Sequence, residues 1–503
     1  MPSLPDWLEP LPDAEQMRAT DRWAIDQRGV PSLERMERAG GGLAQLADDV
    51  APTGAVVVLC GGGNNGGDGF VAARLLRHGG RDVRVVTTTD LDAYEGDARA
   101  NLERLPGDAP APFSAGVLDG AAVLVDCLLG TGFSGDVREP VRAAILALNA
   151  AGAPVVACDV PSGVDASTGA VDDVAVEAVA TATFHRAKPG LWIAPGKQRA
   201  GDVHVIEIGI PPGEPVEPAI GLIGDRAFDL VPRRGADSTK FSSGHVLVVG
   251  GSTGLTGAPC MTAEAAMRAG AGYVTCCVPA SLNVVFETRL LEVMTIPLPA
   301  DGGMLAAEGA ERVLEEASKR GGALVVGPGF GKSDGAFALA RDVVGRAEVP
   351  VVLDADGLNA HAGRLESLRG RGAPTILTPH GGELARLLDA EGDAVNAKRL
   401  EHARAAAAEA EAIIVLKGDD TLVVAPDGRV AVSPGGVPAL ATAGTGDVLS
   451  GVIAALLAKG LDPFAAAAAG VLSHLHAGAS ASQRRSPDAV IASDVIEALG
   501  RPR

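Results

Sequence analysis

The sequence predicts an α/β protein of two three-layer domains, each a parallel sheet with helices on both of its faces. Three observations lead to this prediction: the chain has 503 residues, strand-like and helix-like segments alternate in both halves, and a Pro- and Gly-rich stretch separates the halves. A chain of this length exceeds one ordinary hydrophobic core, because domains usually have about 100 to 250 residues. Hydrophobic residues make up 47% of the chain and charged residues 21%, which fits a globular protein with a sizeable core.

In the first half, short apolar runs end in polar residues and are followed by helical patterns. The runs at 55–60, 83–86, 122–126 and 154–159 are typical of strands, and the segment 70–78 has helical spacing. This alternation predicts a doubly wound parallel sheet of the Rossmann-like type. Because ligands bind outside the carboxyl ends of such strands, the polar residues there are expected on one rim. They are Asn64, Asn65, Asp68, Asp126, Asp159 and Ser162.

The halves are separated where the alternation lapses. The segment 210–218 is rich in proline, which suits an extended linker. We therefore predict one domain at 1–213, a linker at 214–236 and a second domain at 237–503. In the second domain a new strand and helix alternation follows, with strand-like runs at 245–250, 273–279, 323–326, 349–354, 375–378 and 412–417.

Charge and cysteine usage exclude several functional classes. The formal net charge of -20 argues against a nucleic-acid backbone or an anionic membrane as partner, whereas a nucleotide site needs only local positive potential. The cysteines lie mostly in apolar runs without metal-ligand spacing, which predicts buried reduced thiols and a reducing compartment. Residues 1–12 lack a signal-peptide pattern, and no stretch of about 18 apolar residues occurs, so we expect a cytoplasmic protein. The cysteines are Cys60, Cys127, Cys158, Cys260, Cys276 and Cys277.

A glycine-rich turn at 61–69 follows the first of these strands. It fits the pattern G-x-G-x-x-G, which is weak by itself and also occurs in purely structural turns. The two amides and one carboxylate in it, Asn64, Asn65 and Asp68, favour a binding site, and oxygen ligands of these types suit a metal cation. The strand ends at Asp126 and Asp159 add two carboxylates, for which a strand-to-helix cap is the alternative.

With these motifs, residues 14–212 resemble the YjeF N-terminal family, whose enzymatic members are NAD(P)H-hydrate epimerases. The resemblance implies that Asp159 contacts the reacting end of hydrated NADH or NADPH, and that K+ is held by Asn65, Asp126 and Ser162. A carboxylate at that point can assist departure of the ring hydroxyl and its return from the other face. The stretch 87–90 has no lysine of the kind that some family members place there, so no second proton-transfer partner of Asp159 is predicted. The resemblance assigns the remaining dinucleotide contacts to two turns, namely Asn64, Asn65, Gly66, Gly67, Asp68, Gly130, Thr131, Gly132, Phe133, Ser134, Gly135 and Asp136.

Four motifs mark the second half: glycine turns at 327–331 and 441–447, and strand ends that carry His380 and Lys417. The turn at 441–447 precedes a helical pattern, so its N–H groups and the positive end of the helix are available to an anion. Asp447 is placed to take a proton from an attacking hydroxyl, which predicts phosphoryl transfer. Taken singly, the motifs leave alternatives: a plain turn at 327–331, a structural histidine, and a helix capped by Asp447.

The order of these motifs resembles the ribokinase-like superfamily, and the strings at 244–251, 327–329 and 378–383 resemble its NAD(P)H-hydrate dehydratase family. This resemblance implies a ribokinase-like α/β fold for the second domain. It also implies that Ala258, Gly329, His380 and Asp447 face the hydrated dinucleotide. Mg2+ is expected as the cation that bridges the nucleotide phosphates. The adenine nucleotide, ADP in preference to ATP, is assigned to Lys417, Gly418, Asp419, Asp420, Thr421 and Gly446.

The two resemblances together predict a bifunctional metabolite-repair enzyme. Its first domain would interconvert the R and S forms of hydrated NADH and NADPH, and its second would dehydrate the S form at the expense of ADP or ATP. An assembly of identical chains is expected from the resemblance. Two alternatives stay open: a small-molecule kinase of the ribokinase superfamily, and a first domain that binds its ligand without turnover.

Overall fold

A computed structural model describes residues 3–499 of the chain. The outermost residues of the two predicted domains, 1, 2 and 500–503, lie outside this range. The described chain divides into two compact units. One comprises Pro10–Gly221 together with Ala397–Arg399, and the other comprises residues 3–9, 222–396 and 400–499.

The first unit is a seven-stranded parallel sheet with helices on both faces. The strand order is β4-β3-β2-β5-β6-β7-β8, and every neighbouring pair is parallel. The strands are β2 (Ala55–Cys60), β3 (Val83–Thr87), β4 (Ala111–Pro112), β5 (Ala121–Cys127), β6 (Val155–Cys158), β7 (Ala180–Phe184) and β8 (Asp202–Ile206). The helices are α1 (Ala14–Asp26), α2 (Ser32–Val50), α3 (Asn64–His78), α4 (Gly96–Glu103), α5 (Val141–Ala150) and α6 (Lys197–Ala200).

The inner strands of this sheet are apolar on both sides because both faces are covered. Along β2, Val56 and Val58 join the core on one face, whereas Val57 and Leu59 join the core on the other. Strands that are buried on both faces are continuous hydrophobic runs in the sequence, which is why these strands could be predicted from it. The predicted doubly wound α/β class is confirmed for this unit.

The second unit contains an eleven-stranded sheet in the order β1-β9-β20-β19-β18-β17-β16-β15-β10-β11-β12, and a separate hairpin of β13 and β14. The run from β18 to β12 is parallel, and the pairs β18–β19 and β19–β20 are antiparallel. The strands are β1 (Leu8–Pro10), β9 (Ile220–Ile223), β10 (His245–Val249), β11 (Tyr273–Pro279), β12 (Met294–Leu298), β13 (Ala300–Asp301), β14 (Met304–Leu305), β15 (Ala323–Val326), β16 (Val351–Leu353), β17 (Thr375–Leu377), β18 (Ile413–Leu416), β19 (Leu422–Val424) and β20 (Val430–Val432).

The helices of this unit cover the sheet, and the most apolar of them lie at its centre. Helix α15 packs against α7 and α16, and its residues Val448 to Leu457 are all buried. A helix that is hydrophobic on all sides belongs in the interior of a large domain. The helices are α7 (Gly257–Arg268), α8 (Asn283–Arg289), α9 (Ala310–Arg320), α10 (Asp334–Arg346), α11 (Asp356–Asn359), α12 (Gly381–Leu388), α13 (Gly392–Ala397), α14 (Arg399–Ala410), α15 (Thr445–Ala458), α16 (Pro463–Ser482) and α17 (Ala492–Leu499).

The predicted linker at 214–236 differs from the structure. It contains strand β9 and a 3-10 helix at Asp225–Leu230, and β9 lies between β1 and β20 in the larger sheet. The four residues of β9 form a short segment among prolines and glycines. Because those neighbours are typical of linkers, the sequence did not indicate a strand there. Strand β1, which we expected in the first domain, likewise belongs to the larger sheet.

Two further expectations concern burial and membranes. All six cysteines are free and buried, as predicted. Among residues 3–499, no helix is long and apolar enough to cross a membrane.

Candidate active sites

A cavity of about 1000 Å³ opens at the carboxyl ends of the strands in the first unit. Nine of the predicted site residues line it, which are Asn64, Asn65, Asp68, Gly130, Thr131, Gly132, Phe133, Ser134 and Asp159. Gly66 and Gly67 are buried in the first turn of α3 behind the lining, and Gly135 and Asp136 are exposed beside it. Asp126 and Ser162 are fully buried beneath the cavity.

The glycine turn before α3 is shaped by close backbone contacts. A Cβ atom on Gly61 would lie 2.0 Å from the carbonyl oxygen of Leu128, and one on Gly66 would lie 2.0 Å from the carbonyl oxygen of Gly61. Both carbonyl oxygens belong to the backbone, so neither can move aside unless the backbone itself shifts. These glycines therefore let β2, β5 and α3 approach one another, and the turn between them presents Gly62, Gly63 and Asn64 to the cavity.

We expect Gly66→Ala to destabilise the first unit, whereas Gly63→Ala should be tolerated. The added methyl group overlaps backbone in the first case and meets nothing within 4 Å in the second, where φ is negative. Overpacking of this kind costs about 1–3 kcal/mol. Urea unfolding of the two variants measures the difference, and equal stability would show that the turn can relax around the extra carbon.

Asp159 and Lys188 form a buried ion pair at one wall of the cavity. Lys188 Nζ lies 2.6 Å from Asp159 Oδ1 and also donates to Thr183 Oγ1 at 2.9 Å and to the carbonyl oxygen of Phe184 at 3.0 Å. Asp159 Oδ2 accepts hydrogen bonds from the backbone N–H of Thr131, at 3.0 Å, and from its hydroxyl. Burial raises the pKa of the Asp159 carboxyl, but Lys188 and Thr131 outweigh it and hold the pKa below its usual value.

Lys188 is a contact of Asp159 that the sequence analysis did not identify. It is 1% exposed and stands just before the 3-10 helix Pro189–Leu191, after strand β7. Asp159 follows β6, the neighbour of β7, and has a φ of 66°, which is uncommon for a residue with a side chain. The left-handed backbone at this strand end and the short loop after β7 together bring the carboxylate and the ammonium group into contact.

Two further carboxylates lie close to this pair. The pKa of Asp68 is well above its usual range because of burial and because Asp159 and Asp21 are nearby. Asp126 accepts hydrogen bonds from the hydroxyl of Ser162 at 2.6 Å and from its backbone N–H at 2.8 Å, yet burial raises its pKa to about 6. Asn65 donates to the carbonyl oxygen of Leu129 at 2.9 Å, and the N–H of Leu129 donates to Ser162 Oγ at 2.8 Å. The structure thus gathers the three predicted cation ligands, Asn65, Asp126 and Ser162, around one short segment.

In the second unit, the neighbouring strands β16, β17 and β18 bring charged residues together at their carboxyl ends. Lys417 Nζ lies 3.1 Å from Asp354 Oδ1 and 3.7 Å from Glu383 Oε2. The second oxygen of Asp354 accepts from Ser450 Oγ of α15 at 2.7 Å. Burial lowers the pKa of Lys417, but Asp354 and Glu383 outweigh it and raise the pKa above its usual value. The sequence singled out Lys417, whereas the role of Asp354 depends on a strand order that it did not reveal.

Asp447 lies in the first turn of α15, which begins at Thr445 after Gly444 with a φ of 91°. Burial raises the pKa of Asp447 to about 7, with a further contribution from Asp354 and an opposing one from Lys417. A Cβ atom on Gly446 would lie 3.3 Å from Lys417 Nζ, so the glycine turn and the lysine face the same space. A carboxylate with a pKa near neutrality is suited to general base catalysis.

His380 begins α12 and caps it. Its Nδ1 accepts hydrogen bonds from the backbone N–H groups of Gly382 at 3.0 Å and Glu383 at 3.3 Å. The neutral ring therefore carries its proton on Nε2, which lies 3.6 Å from Glu383 Oε1, and the side chain as a whole is 56% exposed. Burial lowers the pKa of His380, which favours this neutral form.

The remaining predicted residues of the second unit lie on neighbouring turns. Gly329 has a φ of 64°, and a Cβ atom on it would lie 2.3 Å from the carbonyl oxygen of Leu255, just before the helix that carries Ala258. The turn after β18 is closed by Thr421, whose hydroxyl donates to the carbonyl oxygen of Gly418 at 2.8 Å. Asp419 accepts from the N–H of Gly436 at 2.8 Å, and Asp420 is 1% exposed.

The two units define an α/β enzyme with one candidate site for proton transfer in each unit. One site pairs a carboxylate with an ammonium group in a large cavity, and the other presents a carboxylate of raised pKa at a glycine turn. Residues 32–190 match the family model described as YjeF-related protein N-terminus, and residues 246–501 match the model described as NAD(P)H-hydrate dehydratase.

Full-length relatives match almost the whole chain. The protein named bifunctional NAD(P)H-hydrate repair enzyme Nnr from Salinibacter ruber is 40% identical over 98% of this chain and 96% of its own length. The protein of the same name from Moorella thermoacetica is 37% identical over 97% of this chain and 96% of its own. A solved Bacillus subtilis ADP/ATP-dependent NAD(P)H-hydrate dehydratase, co-crystallised with ATP and Mg2+, is 29% identical, with a TM-score of 0.47 over 55% of this chain and 94% of its own. The chain belongs to the family of bifunctional NAD(P)H-hydrate repair enzymes, as predicted.

Proposed function

We propose that the first unit epimerises hydrated NADH and NADPH and that the second dehydrates the S epimer with consumption of ADP or ATP. The full-length similarity to bifunctional repair enzymes carries this proposal. The two sites supply a mechanism for it. Spontaneous hydration gives both epimers, so a stereospecific dehydratase needs an epimerase to use all of its substrate.

In the epimerase, the Asp159–Lys188 pair holds one proton that can be exchanged with the substrate. The lowered pKa keeps Asp159 ionised. Lys188 donates the proton as the C–O bond of the ring hydroxyl breaks and water leaves, with the electron pair of the ring nitrogen stabilising the resulting cation. Water then adds from the other face and returns a proton to the pair. The buried position of Lys188 keeps this proton from bulk solvent.

Asn65, Asp126 and Ser162 are the residues that would hold K+ beneath the cavity. Asp126 is fully buried and forms no salt bridge within residues 3–499. A buried carboxylate without a counter-charge is costly, and a bound monovalent cation would supply that charge. Amide, hydroxyl and carboxylate oxygens suit such an ion. Its presence would also fix the segment 128–130 that borders the reacting pair.

We expect KCl to raise the melting temperature of the first unit more than choline chloride does at equal ionic strength. An ion that binds only the folded protein stabilises it by about 2.7 kcal/mol at 100 times its dissociation constant. Differential scanning fluorimetry measures the effect. Asp126→Asn should lose the difference between the two salts, whereas Asp119→Asn, at an exposed position, should keep it. Equal responses of the wild-type protein to both salts would contradict the assignment.

In the dehydratase, Asp447 takes the proton from the ring hydroxyl as its oxygen attacks the terminal phosphoryl group of the nucleotide. Lys417 and the N–H groups of the glycine turn offset the charge of the phosphates, and Mg2+ bound with the nucleotide would add to this. The phosphate ester then leaves as inorganic phosphate, because phosphate is a better leaving group than hydroxide. The ring nitrogen supplies electron density, the neighbouring carbon loses a proton, and NADH or NADPH is restored.

The decisive experiment supplies hydrated NADH or NADPH with ADP and with ATP in turn. Restoration of the near-ultraviolet absorbance of the reduced ring is the expected result, with ADP as the better nucleotide. A stable phosphorylated product would instead identify a small-molecule kinase. Asp159→Ala should stop consumption of the R epimer but not of the S epimer. Unchanged consumption of R beyond its spontaneous rate would show that the first unit binds without turnover.

A further inference from the structure

Two arginines on one face of α1 border the cavity of the first unit. Arg18 and Arg22 are four residues apart, so their side chains are neighbours on the helix surface, together with Asp21 and Ile25. Both are exposed, and neither forms an ion pair within the described chain. Acidic residues at similar helical spacing on α1 offset the repulsion between these two like charges. Both guanidinium groups can therefore contact a ligand in the cavity.

A third arginine, Arg35 of α2, lies deeper in the same wall. It is 9% exposed and its guanidinium forms an ion pair with Asp21. Its Nε atom is buried and has no acceptor within residues 3–499. An unmet donor on a buried charged group is costly. Arg35 also lines the cavity, so the accessible part of its guanidinium can contact a bound anion.

Four cationic side chains and four carboxylates line the cavity. Of the four lining carboxylates, Asp21 is paired with Arg35 and Asp159 with Lys188. Burial and its acidic neighbours raise the pKa of Asp68. Asp97 is the fourth lining carboxylate. Arg18 and Arg22 are the lining cations that form no ion pair within residues 3–499, so they are available to an anionic ligand.

Arg18 also borders a smaller hollow of about 270 Å³, and this hollow is acidic because Asp13, Glu15 and Asp165 line it. An anionic ligand is therefore expected on the other side of Arg18, in the larger cavity. Across the cavity lies the first turn of α3, whose N-cap Gly63 provides no side-chain hydrogen bond. The positive end of this 15-residue helix thus remains open to an anionic group.

We propose that Arg18, Arg22 and Arg35 bind the phosphate groups of the dinucleotide and so direct its hydrated ring toward Asp159 and Lys188. The inference rests on the proposed function, because it assumes a dinucleotide substrate. It adds positioning residues that the predicted site did not contain. The pyrophosphate is common to both cofactors, and the 2′-phosphate is present only in the NADPH form.

The test measures epimerisation by the full chain without ADP or ATP, so that the dehydratase does not remove the S epimer. The Arg18→Ala/Arg22→Ala variant should raise KM for the R hydrate about 10- to 100-fold, because hydrogen bonds to charged groups are among the stronger contacts. Its kcat should stay within about threefold of wild type, since neither arginine touches the reacting atoms. Arg104→Ala is the matched control, because Arg104 is exposed in the same unit and lies outside the cavity lining.

A second measurement does not need turnover. Calorimetric titration with ADP-ribose and with 2′-phospho-ADP-ribose reports binding of the phosphate-bearing half alone, and comparison with the double variant isolates this site. If the double variant binds both compounds more weakly than wild type, the arginines contact the pyrophosphate. If it binds only 2′-phospho-ADP-ribose more weakly, they contact the 2′-phosphate. Either result supports the proposal. Unchanged binding and unchanged KM would overturn it. Failure of the proposed function is recognised separately, as absence of epimerisation by the wild-type chain.

Discussion

Replacing Lys188 with methionine should abolish epimerisation and leave dehydration of the S epimer intact. The substitution removes the only proton donor that contacts Asp159 Oδ1 within the described chain, at a site where general acid and base catalysis contributes about 10²- to 10⁴-fold. Without Lys188, burial is no longer outweighed, so the pKa of Asp159 should rise. The measurement is chromatographic separation of the two epimers over time. An epimerisation rate near that of wild type would remove Lys188 from the mechanism.

Stability controls separate a catalytic loss from an unfolded first unit. Breaking a buried ion pair costs about 3–5 kcal/mol because one charge stays buried alone. The Asp159→Asn/Lys188→Met variant should therefore be more stable than Lys188→Met, although both are inactive. In the wild type the Asp159 pKa is lowered, so its stabilisation is present above the unfolded pKa and is lost as pH falls through the folded one. Lys197→Met changes a charge in the same unit outside the cavity lining and should leave epimerisation unchanged.

The rim of the first sheet could be predicted because its signals are local. Asp126 and Asp159 terminate apolar runs, and parallel strands deliver such residues to one edge. Lys188 could not be predicted in the same way. It reaches Asp159 from a loop 29 residues later in the chain, and a buried lysine has the same sequence appearance as a surface one. The family resemblance pointed instead to the end of β3, where residues 87–90 contain no lysine.

The glycine turn shows a different limit of sequence reasoning. Asn64 and Gly66 belong to one motif, yet Asn64 lines the cavity while Gly66 packs against the backbone of Gly61. Glycine has no side chain to reveal which of these roles it has. Short elements posed a similar problem, since β1 and β9 have three and four residues and gain their stability from a sheet built mainly by distant segments.

The second site depends more on topology than the first. Asp354, His380 and Lys417 follow β16, β17 and β18, and they are neighbours only because these strands are adjacent in the sheet. The consequence is electrostatic. Burial raises the pKa of the proposed base, Asp447, to about 7. Asp354 and Glu383, which surround Lys417, add to this shift because they repel the charge on Asp447.

Replacing Asp447 with asparagine should therefore abolish dehydration and leave epimerisation unchanged. Loss of the base that activates the ring hydroxyl should reduce kcat by at least about 10²-fold. Asp488→Asn is the matched control, since Asp488 is an exposed aspartate of the same unit. The assay is recovery of the reduced-ring absorbance with pure S epimer and ADP. Retention of most of the activity would mean that the attacking hydroxyl needs no proton acceptor at this position.

The pH dependence tests the same residue without removing it. Because the base must be ionised and the pKa of Asp447 is about 7, kcat/KM for dehydration should fall about tenfold per unit as pH decreases below 7. Asp354→Asn removes a like charge and leaves Lys417 facing Asp447. It should therefore lower the pKa of Asp447 and shift the fall in kcat/KM to lower pH. The Asp447 carboxyl affects stability with the opposite sign. Its pKa in the folded state exceeds its usual value in an unfolded chain, so the folded state binds the proton more tightly. The free energy of unfolding should therefore decrease as pH rises from about 4 to about 7. Asp447→Asn should lose that decrease, whereas Asp488→Asn should keep it.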